Sequence, residues 1–288
     1  MDLDLDFGRR SASALRFRLR CIAASAAEVR FKIEASLVPR YPKLTKKGLL
    51  NFMQDIPTPT TLRQQDQAFL STVLKLNPKL AAFDCDGTLW SGDAGESFFR
   101  WEIERGLISK EIADKVKARH ADYKKGLVDE DTMCGEMVTL HAGLPDADLA
   151  VAAKIFIQEE IAPNFFPAML ELVNQLHARG CEIWAVSSSN QWVVREGVRY
   201  FGIPPERVLS AEVYIENGKA ADRLIRVPSG PGKPQALRDV VQRTPDAAFG
   251  NSKWDADMLA QAKAAFAVNP NPDLERLART SNWTTYFP

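Results

Sequence analysis

Residues 80–93 read LAAFDCDGTLWSGD. Four apolar residues, Leu80 to Phe83, run without alternation into Asp84, and a second carboxylate, Asp86, follows two positions on. A short, continuously apolar run of this kind predicts a strand buried on both faces of a parallel sheet. Two carboxylates so close together repel one another, and the fold has to bring something to relieve them. Gly87 permits a sharp turn behind the pair, so that both carboxylates and nearby backbone N–H groups can face one site.

Working outward, the pattern alternates. Upstream, TLRQQDQAFLSTVLKL carries Leu62, Phe69, Leu70, Val73 and Leu74 at helical spacing and stops at Asn77-Pro78. Downstream, PAMLELVNQLHARG predicts a helix, CEIWAVS a strand and QWVVREGVRYFGI a helix. RVLSAEVYIENGKA predicts two short strands about an Asn217-Gly218 turn. GKPQALRDVVQR, DAAFG, SKWDADMLAQA, AAFAVN and PDLERLARTSN then read helix, strand, helix, strand, helix. The expected fold is α/β, a doubly wound, Rossmann-like parallel sheet.

One block breaks the alternation. Between Ser91 and Pro163 four consecutive helices are expected and no strand. Long inserts of this kind are usually functional lids, so the expectation is an all-helical cap seated over the aspartates. The domain reading is a core of residues 60–90 plus 163–288, a cap of 91–162, and an extension with linker over 1–59. In that extension MDLDLDF, ALRFRLRCI and EVRFKIEASLV alternate apolar and charged residues like half-buried strands, and a poorly ordered tail is the preferred reading. Its arginines suit a transit peptide, but the early aspartates argue against one.

Composition narrows the function. In 288 residues, Lys+Arg and Asp+Glu both total 37, which gives no electrostatic argument for nucleic acid or a membrane surface. No apolar run approaches the roughly 20 residues that span a bilayer. The four cysteines are scattered, without C-x-x-C or nearby histidine, and read as free thiols of a reducing, cytoplasmic compartment. His120, His141 and His177 fall in helical segments and read as surface or core residues.

In doubly wound sheets ligands bind beyond the carboxyl ends of the strands. There the sequence puts Asp84 and Asp86, the hydroxyls of Ser187-Ser188-Ser189, Lys233 in PSGPGKPQAL, and Asn251 with Asp255 in GNSKWD. A lysine and a divalent cation would neutralise such carboxylates, and oxygen donors of this kind suit Mg²⁺.

Over residues 79–288 the chain resembles the haloacid dehalogenase superfamily of phosphohydrolases, in particular its phosphoserine-phosphatase-like branch with a helical cap after the first motif. FDCDGTL matches D-x-D-G-T, VSSS the Ser/Thr motif, GKPQAL the lysine motif and FGNSKWDADML the acidic motif. The resemblance implies a Mg²⁺-dependent phosphatase acting on a small phosphomonoester. It assigns Asp84 as the nucleophile that forms an aspartyl-phosphate and Asp86 as the general acid and then base. It assigns Ser187 and the Ser188 amide to the phosphoryl group, with Gly87 and Thr88 also phosphate-binding, and Lys233 to charge compensation. Asp84, Asp86, Asn251 and Asp255 are the implied metal ligands, Asn251 standing where many relatives have Asp.

The substrate end departs from the pattern. Asp93, with Glu96 nearby, falls where relatives recognise an amino group, and Met137 falls where they carry a carboxylate-binding Arg. Asp93 and Glu96 suit a cationic head, with Trp90 or Trp101 as an aromatic face; the plainer reading is acidic residues complementing a helix dipole. An inactive phospho-ligand-binding protein, a phosphotransferase and a dehalogenase stay as alternatives. Asp86 speaks against the last, since a halide leaving group needs no proton.

Overall fold

The structure is a computed structural model that describes residues 61–288, and the extension expected over 1–59 lies outside the described residues. Strand β1 is Leu80–Phe83, with all four residues buried, as a central parallel strand requires. It pairs in parallel with β2 (Glu182–Asn190) on one side and β5 (Ala247–Gly250) on the other. Beyond β2 lie β3 (Val208–Glu216) and the antiparallel edge strand β4 (Lys219–Arg226); beyond β5 lie β6 (Ala264–Val268) and β7 (Thr284–Tyr286). The order β4-β3-β2-β1-β5-β6-β7 is doubly wound about β1. The chain steps outward to β4 and returns to β5, so the switch point lies between β1 and β5.

Helices fill both faces. Helix α1 (Gln64–Lys75) precedes β1 and turns Phe69, Leu70, Val73 and Leu74 inward. Phe69 stacks on Tyr286 of β7 at 3.9 Å, and its edge meets Phe266 of β6. Phe266 stacks on Phe249, and Phe249 on Phe83. This row of rings crosses β6, β5 and β1 directly beneath the ends of β1 and β5.

The interruption after β1 is helical, as expected: α2 (Ala94–Arg105), α3 (Lys110–Lys124), α4 (Glu130–Thr139) and α5 (Asp146–Phe156). Phe99, Ile108, Ala113, Val116, Val128 and Met133 form a small apolar cluster of their own. Met137 packs against it, so the residue at the carboxylate-binding position of relatives is a packing residue here. The α4–α5 loop is stitched to the β3–β4 turn: Gly143 N donates to Ala220 O, Ala220 N to Leu144 O, and Asp146 N to Gly218 O, at 2.8–2.9 Å.

The remaining helices are α6 (Pro167–Ala178), α7 (Gln191–Arg199), α8 (Gly232–Val240), α9 (Ala256–Gln261) and α10 (Pro272–Thr280). Three differences from the sequence reading have physical causes. The hairpin strands run longer than expected, because β4 is an edge strand whose charged residues sit in solvent. The helix expected from Ser252 starts instead as a tight 3₁₀ turn, closed by a Ser252–Asp255 capping box. Strand β7, which the sequence does not announce, is a three-residue edge with two exposed threonines.

Candidate active site

The ladder places the site. Phe83 is level with Ala185 of β2 and Phe249 of β5, and Asp84 N donates to Phe249 O at 2.9 Å, so Asp84 leaves the sheet between the two strand ends. Its carboxylate is buried and fully engaged. Oδ1 accepts from Lys233 Nζ at 2.6 Å, and Oδ2 from Thr88 Oγ1 at 2.8 Å. Burial first, then the charge of Asp255, raises the Asp84 pKa to about 7 against the opposing pull of Lys233. Lys233 is itself buried at the start of α8 and bridges Asp84 and Asp255. Burial pulls its pKa down, but the two carboxylates outweigh burial and the pKa stands raised, so the amine is a fixed cation.

Asp86 lives differently. Its carboxylate meets no lysine but three neutral donors: Trp90 Nε1 and the Ala94 amide on Oδ1, each at 2.7 Å, and Ser189 Oγ on Oδ2 at 2.6 Å. Burial raises its pKa, with the Ser189, Ala94 and Trp90 hydrogen bonds opposing. Two aspartates two positions apart thus have different direct partners, one a cation and one a set of neutral donors, although the Lys233 charge also reaches Asp86.

Two glycines make this geometry possible. Gly87 has φ +73°, and a Cβ there would stand 1.8 Å from the Asn251 side-chain amide. Gly250 lies so close under Asp255 that a Cβ would stand 2.4 Å from the Asp255 Cβ. Asp255 therefore folds back over the end of β5. Its Oδ2 accepts from the amides of Asn251 and Ser252 at 2.9 Å, and its Oδ1 takes Lys233.

These contacts give Asp255 and Thr88 partners within the protein, and two tryptophans a different setting. Asp255, expected on the metal, accepts from Lys233 on Oδ1 and from the 251–252 amides on Oδ2. Thr88, expected on phosphate, is buried and spends its hydroxyl on Asp84. Trp90 and Trp101, expected to offer an aromatic face, are both buried. Trp90 turns its indole N–H to Asp86, and the Trp101 ring already carries the Arg105 guanidinium at 4.1 Å.

Among the expected residues, Asp84, Asp86, Gly87, Thr88, Ser187, Lys233, Asn251 and Asp255 gather at one edge of the sheet. Ser187 is buried and its Oγ accepts from the Ser189 amide at 3.1 Å. Asp93 caps α2, accepting from the Glu96 amide at 2.8 Å; its pKa is raised by surrounding protein first and the Asp86 charge second, although the residue keeps an exposed face. Glu96 is exposed at the rim, 3.9 Å from Lys124. The residues the sequence reading missed are Ser189 and the indole of Trp90, both on Asp86. Three serines in a row gave no way to choose among them, and the Trp90 contact depends on the turn after Gly87.

A cation would meet suitable donors here. Three carboxylates, Asp84, Asp86 and Asp255, stand against the single buried cation Lys233, leaving excess negative charge in a low-dielectric site. Among the described residues no three Asp, Glu, His or Cys side chains converge as a metal cluster. The resemblance to the phosphatases would put such a cation on the Asp84 carboxylate, the Asp86 main-chain carbonyl and the Asn251 amide. These are hard oxygens of low total charge, of the type Mg²⁺ accepts together with water and phosphate.

The sequence model of the haloacid dehalogenase-like hydrolases matches residues 81–260. The histidinol-phosphatase of Neisseria meningitidis serogroup C (strain 8013) is 25% identical over 215 residues, covering 71% of this chain and 96% of the relative. Among solved structures, a protein of unknown function from Bordetella pertussis Tohama I is similar with TM-score 0.63 at 20% identity, covering 72% of this chain and 97% of that one. A substrate-bound phosphoserine phosphatase is similar with TM-score 0.51 at 18% identity, covering 73% of this chain and 92% of its own. The structural likenesses support the fold.

Proposed function

The chain belongs to the haloacid dehalogenase-like hydrolases, and on that premise we propose that it is a Mg²⁺-dependent phosphomonoesterase working through an aspartyl-phosphate. The observation that carries this reading is the division between the two aspartates. A nucleophile needs fixed charge compensation, which Lys233 gives Asp84. A general acid needs a carboxyl that can hold a proton, which the burial of Asp86 without a direct lysine contact favours.

In the proposed reaction an Asp84 oxygen attacks phosphorus while the bond to the ester oxygen breaks, and Asp86 passes its proton to the departing alkoxide. Asp86, now ionised, takes a proton from water as that water attacks the aspartyl-phosphate, releasing phosphate and restoring Asp84. Ser187 and the Ser188 amide hold the transferred phosphoryl oxygens. Thr88 orients Asp84, Ser189 orients Asp86, and Asp255 holds Lys233. Asp84, the Asp86 carbonyl and Asn251 would hold Mg²⁺, which when bound supplies the positive charge that lets an anionic nucleophile approach an anionic phosphoryl group.

The helices over 91–162 act in this proposal as a cap that closes the site and touches the leaving group. Histidinol phosphate is the first substrate to try, given the name of the meningococcal relative. The free thiols of Cys85, Cys134 and Cys181 support a cytoplasmic setting.

The test is phosphate release from histidinol phosphate, phosphoserine, phosphoethanolamine, phosphocholine and p-nitrophenyl phosphate, with Mg²⁺ and with EDTA. Turnover lost in EDTA and in Asp84→Asn supports the proposal. A metallated, folded protein that hydrolyses none of them favours the phospho-ligand-binding alternative, whose support is the uncharged Asn251.

A further inference from the structure

We propose that Trp90 is a positioning residue for proton transfer: its indole N–H, together with the Ala94 amide, reserves Asp86 Oδ1 as an acceptor and leaves Oδ2 as the oxygen that passes a proton to the leaving group. The proposal rests on the phosphatase reading above and deepens it, since that reading names Asp86 but neither of its oxygens.

The two oxygens of Asp86 have chemically different partners. Oδ1 accepts from Trp90 Nε1 and from the Ala94 amide, each at 2.7 Å. An indole and a backbone amide donate and cannot accept, and between them they occupy both lone pairs of Oδ1. A proton on Oδ1 would displace one of these buried donors and leave it without a partner. Oδ2 meets Ser189 Oγ at 2.6 Å. A hydroxyl donates or accepts as its rotor turns, so it suits Oδ2 both with a proton and without one. The protonated carboxyl therefore carries its proton on Oδ2.

Burial separates the two oxygens in the same sense. Trp90 and Ala94 are fully buried, whereas Asp86 and Ser189 each keep an exposed part. Oδ1 is thus on the interior side. Oδ2 is on the side of the end of β2, where the Ser189 amide donates to Ser187 Oγ at 3.1 Å and where the phosphoryl group is proposed to sit. In the reaction above, the Oδ2–H bond breaks together with the ester P–O bond, the proton joins the ester oxygen, and the electron pair stays on Oδ2. Trp90, Ala94 and Ser189 then all donate to the carboxylate that forms.

The surroundings of the indole hold it in this position. Its ring lies between Phe165 and Phe201, with centroids 5.9 and 6.2 Å away. Helix α7 clears room for it: at Gly197 a Cβ would stand 2.9 Å from the indole Cη2, and glycine inside a helix is otherwise unfavourable. The backbone on either side of Trp90 is clamped as well, Ser91 N donating to Asn164 O at 2.9 Å and Phe166 N to Leu89 O at 3.0 Å. The indole is packed on its faces and spends its one polar atom on Asp86.

The experiment compares the best alkyl phosphate of the panel above, whose alkoxide must be protonated as it leaves, with p-nitrophenyl phosphate, whose leaving group needs no proton. Wild type, Trp90→Phe and Phe201→Leu are measured, and the readout is the ratio of kcat for the alkyl ester over the nitrophenyl ester. Trp90→Phe keeps an aromatic ring and removes the N–H, and it should lower the ratio by about 10- to 100-fold, the scale of a lost hydrogen bond to a charged group. Phe201→Leu disturbs the packing alone and should leave the ratio unchanged. A ratio unmoved by Trp90→Phe, or moved as far by Phe201→Leu, overturns the proposal. Indole N–H resonances of protein carrying isotope-labelled tryptophan test it without turnover, in wild type, Asp86→Asn and Asp86→Ala. In Asp86→Asn the two donors should hold the new amide oxygen at the Oδ1 position, so the Trp90 indole stays near its wild-type resonance, while Asp86→Ala shifts it upfield. No indole shift in Asp86→Ala also overturns the proposal. If wild type hydrolyses neither ester but the indole responds as expected, the phosphatase reading falls and the assignment of the two oxygens stands.

Discussion

The end of β1 and the helices α2 to α4 that follow it both gather carboxylates, and they treat them in opposite ways. At the strand ends, Asp84 and Asp255 are buried and share one buried lysine at hydrogen-bond distance. On the helices, Asp93, Glu96 and Glu130 are half-buried or exposed and, Glu96 apart, lie beyond reach of any cation among the described residues. The first arrangement is closed, with its charges matched inside the protein except for what a metal and a phosphoryl group would complete. The second is left open. Chemistry that is the same for every substrate can be built in; recognition of one leaving group has to wait for it.

The most severe break in this comparison is Asp84→Asn, which leaves the site's shape and removes the nucleophile. Turnover should fall by about 10⁴-fold or more, the scale of losing a covalent catalyst, while circular dichroism stays native. Residual activity above that level would mean that water, and not Asp84, attacks phosphorus.

Removing the shared cation should show in stability. Lys233→Met strands two buried carboxylates and should cost about 3–5 kcal/mol in urea unfolding. Glu130→Gln, on the open side, should move the same measurement by about 0.5 kcal/mol or less. Equal costs at both positions would erase the distinction between the closed arrangement and the open one.

Ser189→Ala takes one of three donors from Asp86. A hydrogen bond to a carboxylate is worth about 1.5–3 kcal/mol, so kcat should drop roughly 10- to 100-fold, while Ser188→Ala, which keeps the backbone amide, should leave kcat nearly unchanged. An unchanged kcat in Ser189→Ala would separate that hydroxyl from proton transfer at Asp86.

A third kind of carboxylate lies within the insertion. Glu102 is buried against His141, whose Nε2 stands 3.0 and 3.2 Å from the two Glu102 oxygens and whose Nδ1 faces Val138 O at 3.0 Å. Burial raises the Glu102 pKa, with His141 opposing. Burial lowers the His141 pKa, but the Glu102 charge outweighs it and leaves it raised. The folded pair therefore keeps a proton that an unfolded chain releases above about pH 6.5. Its stabilisation is complete below that point and is lost as pH rises through the raised value; Glu102 acts in the same direction from about pH 4.5 upward. The free energy of urea unfolding should decline as pH rises past about 6.5, by about 1.4 kcal/mol for each unit the pKa is raised. The Glu102→Gln/His141→Gln double variant should flatten the decline. An unchanged slope would assign it to other groups.

The parts legible from sequence share a physical property: their signal is local. LAAF announces a buried strand because all four residues must be apolar, and Asn217-Gly218 announces its turn because both take positive φ. The alternation from Pro167 onward follows from period and punctuation. What stayed hidden depends on partners distant in sequence. Ser189 matters only because the end of β2 comes to lie beside Asp86, 103 residues away. Thr88 looked like a phosphate ligand until the turn at Gly87 brought its hydroxyl onto Asp84. Tyr123 and Glu130 carry no motif; their contact depends on how α3 and α4 pack together. Trp90 and Trp101 were legible as aromatic residues but not as buried ones.

The measurement that bears most directly on the central claim is intact-protein and peptide mass spectrometry of acid-quenched samples during turnover of a substrate found in the phosphate-release panel. The account predicts one phosphoryl group on the peptide bearing Asp84, absent in Asp84→Asn and, with p-nitrophenyl phosphate, whose leaving group needs no proton, more abundant in Asp86→Asn. Phosphate release without label on that peptide, or label elsewhere in the chain, would contradict it.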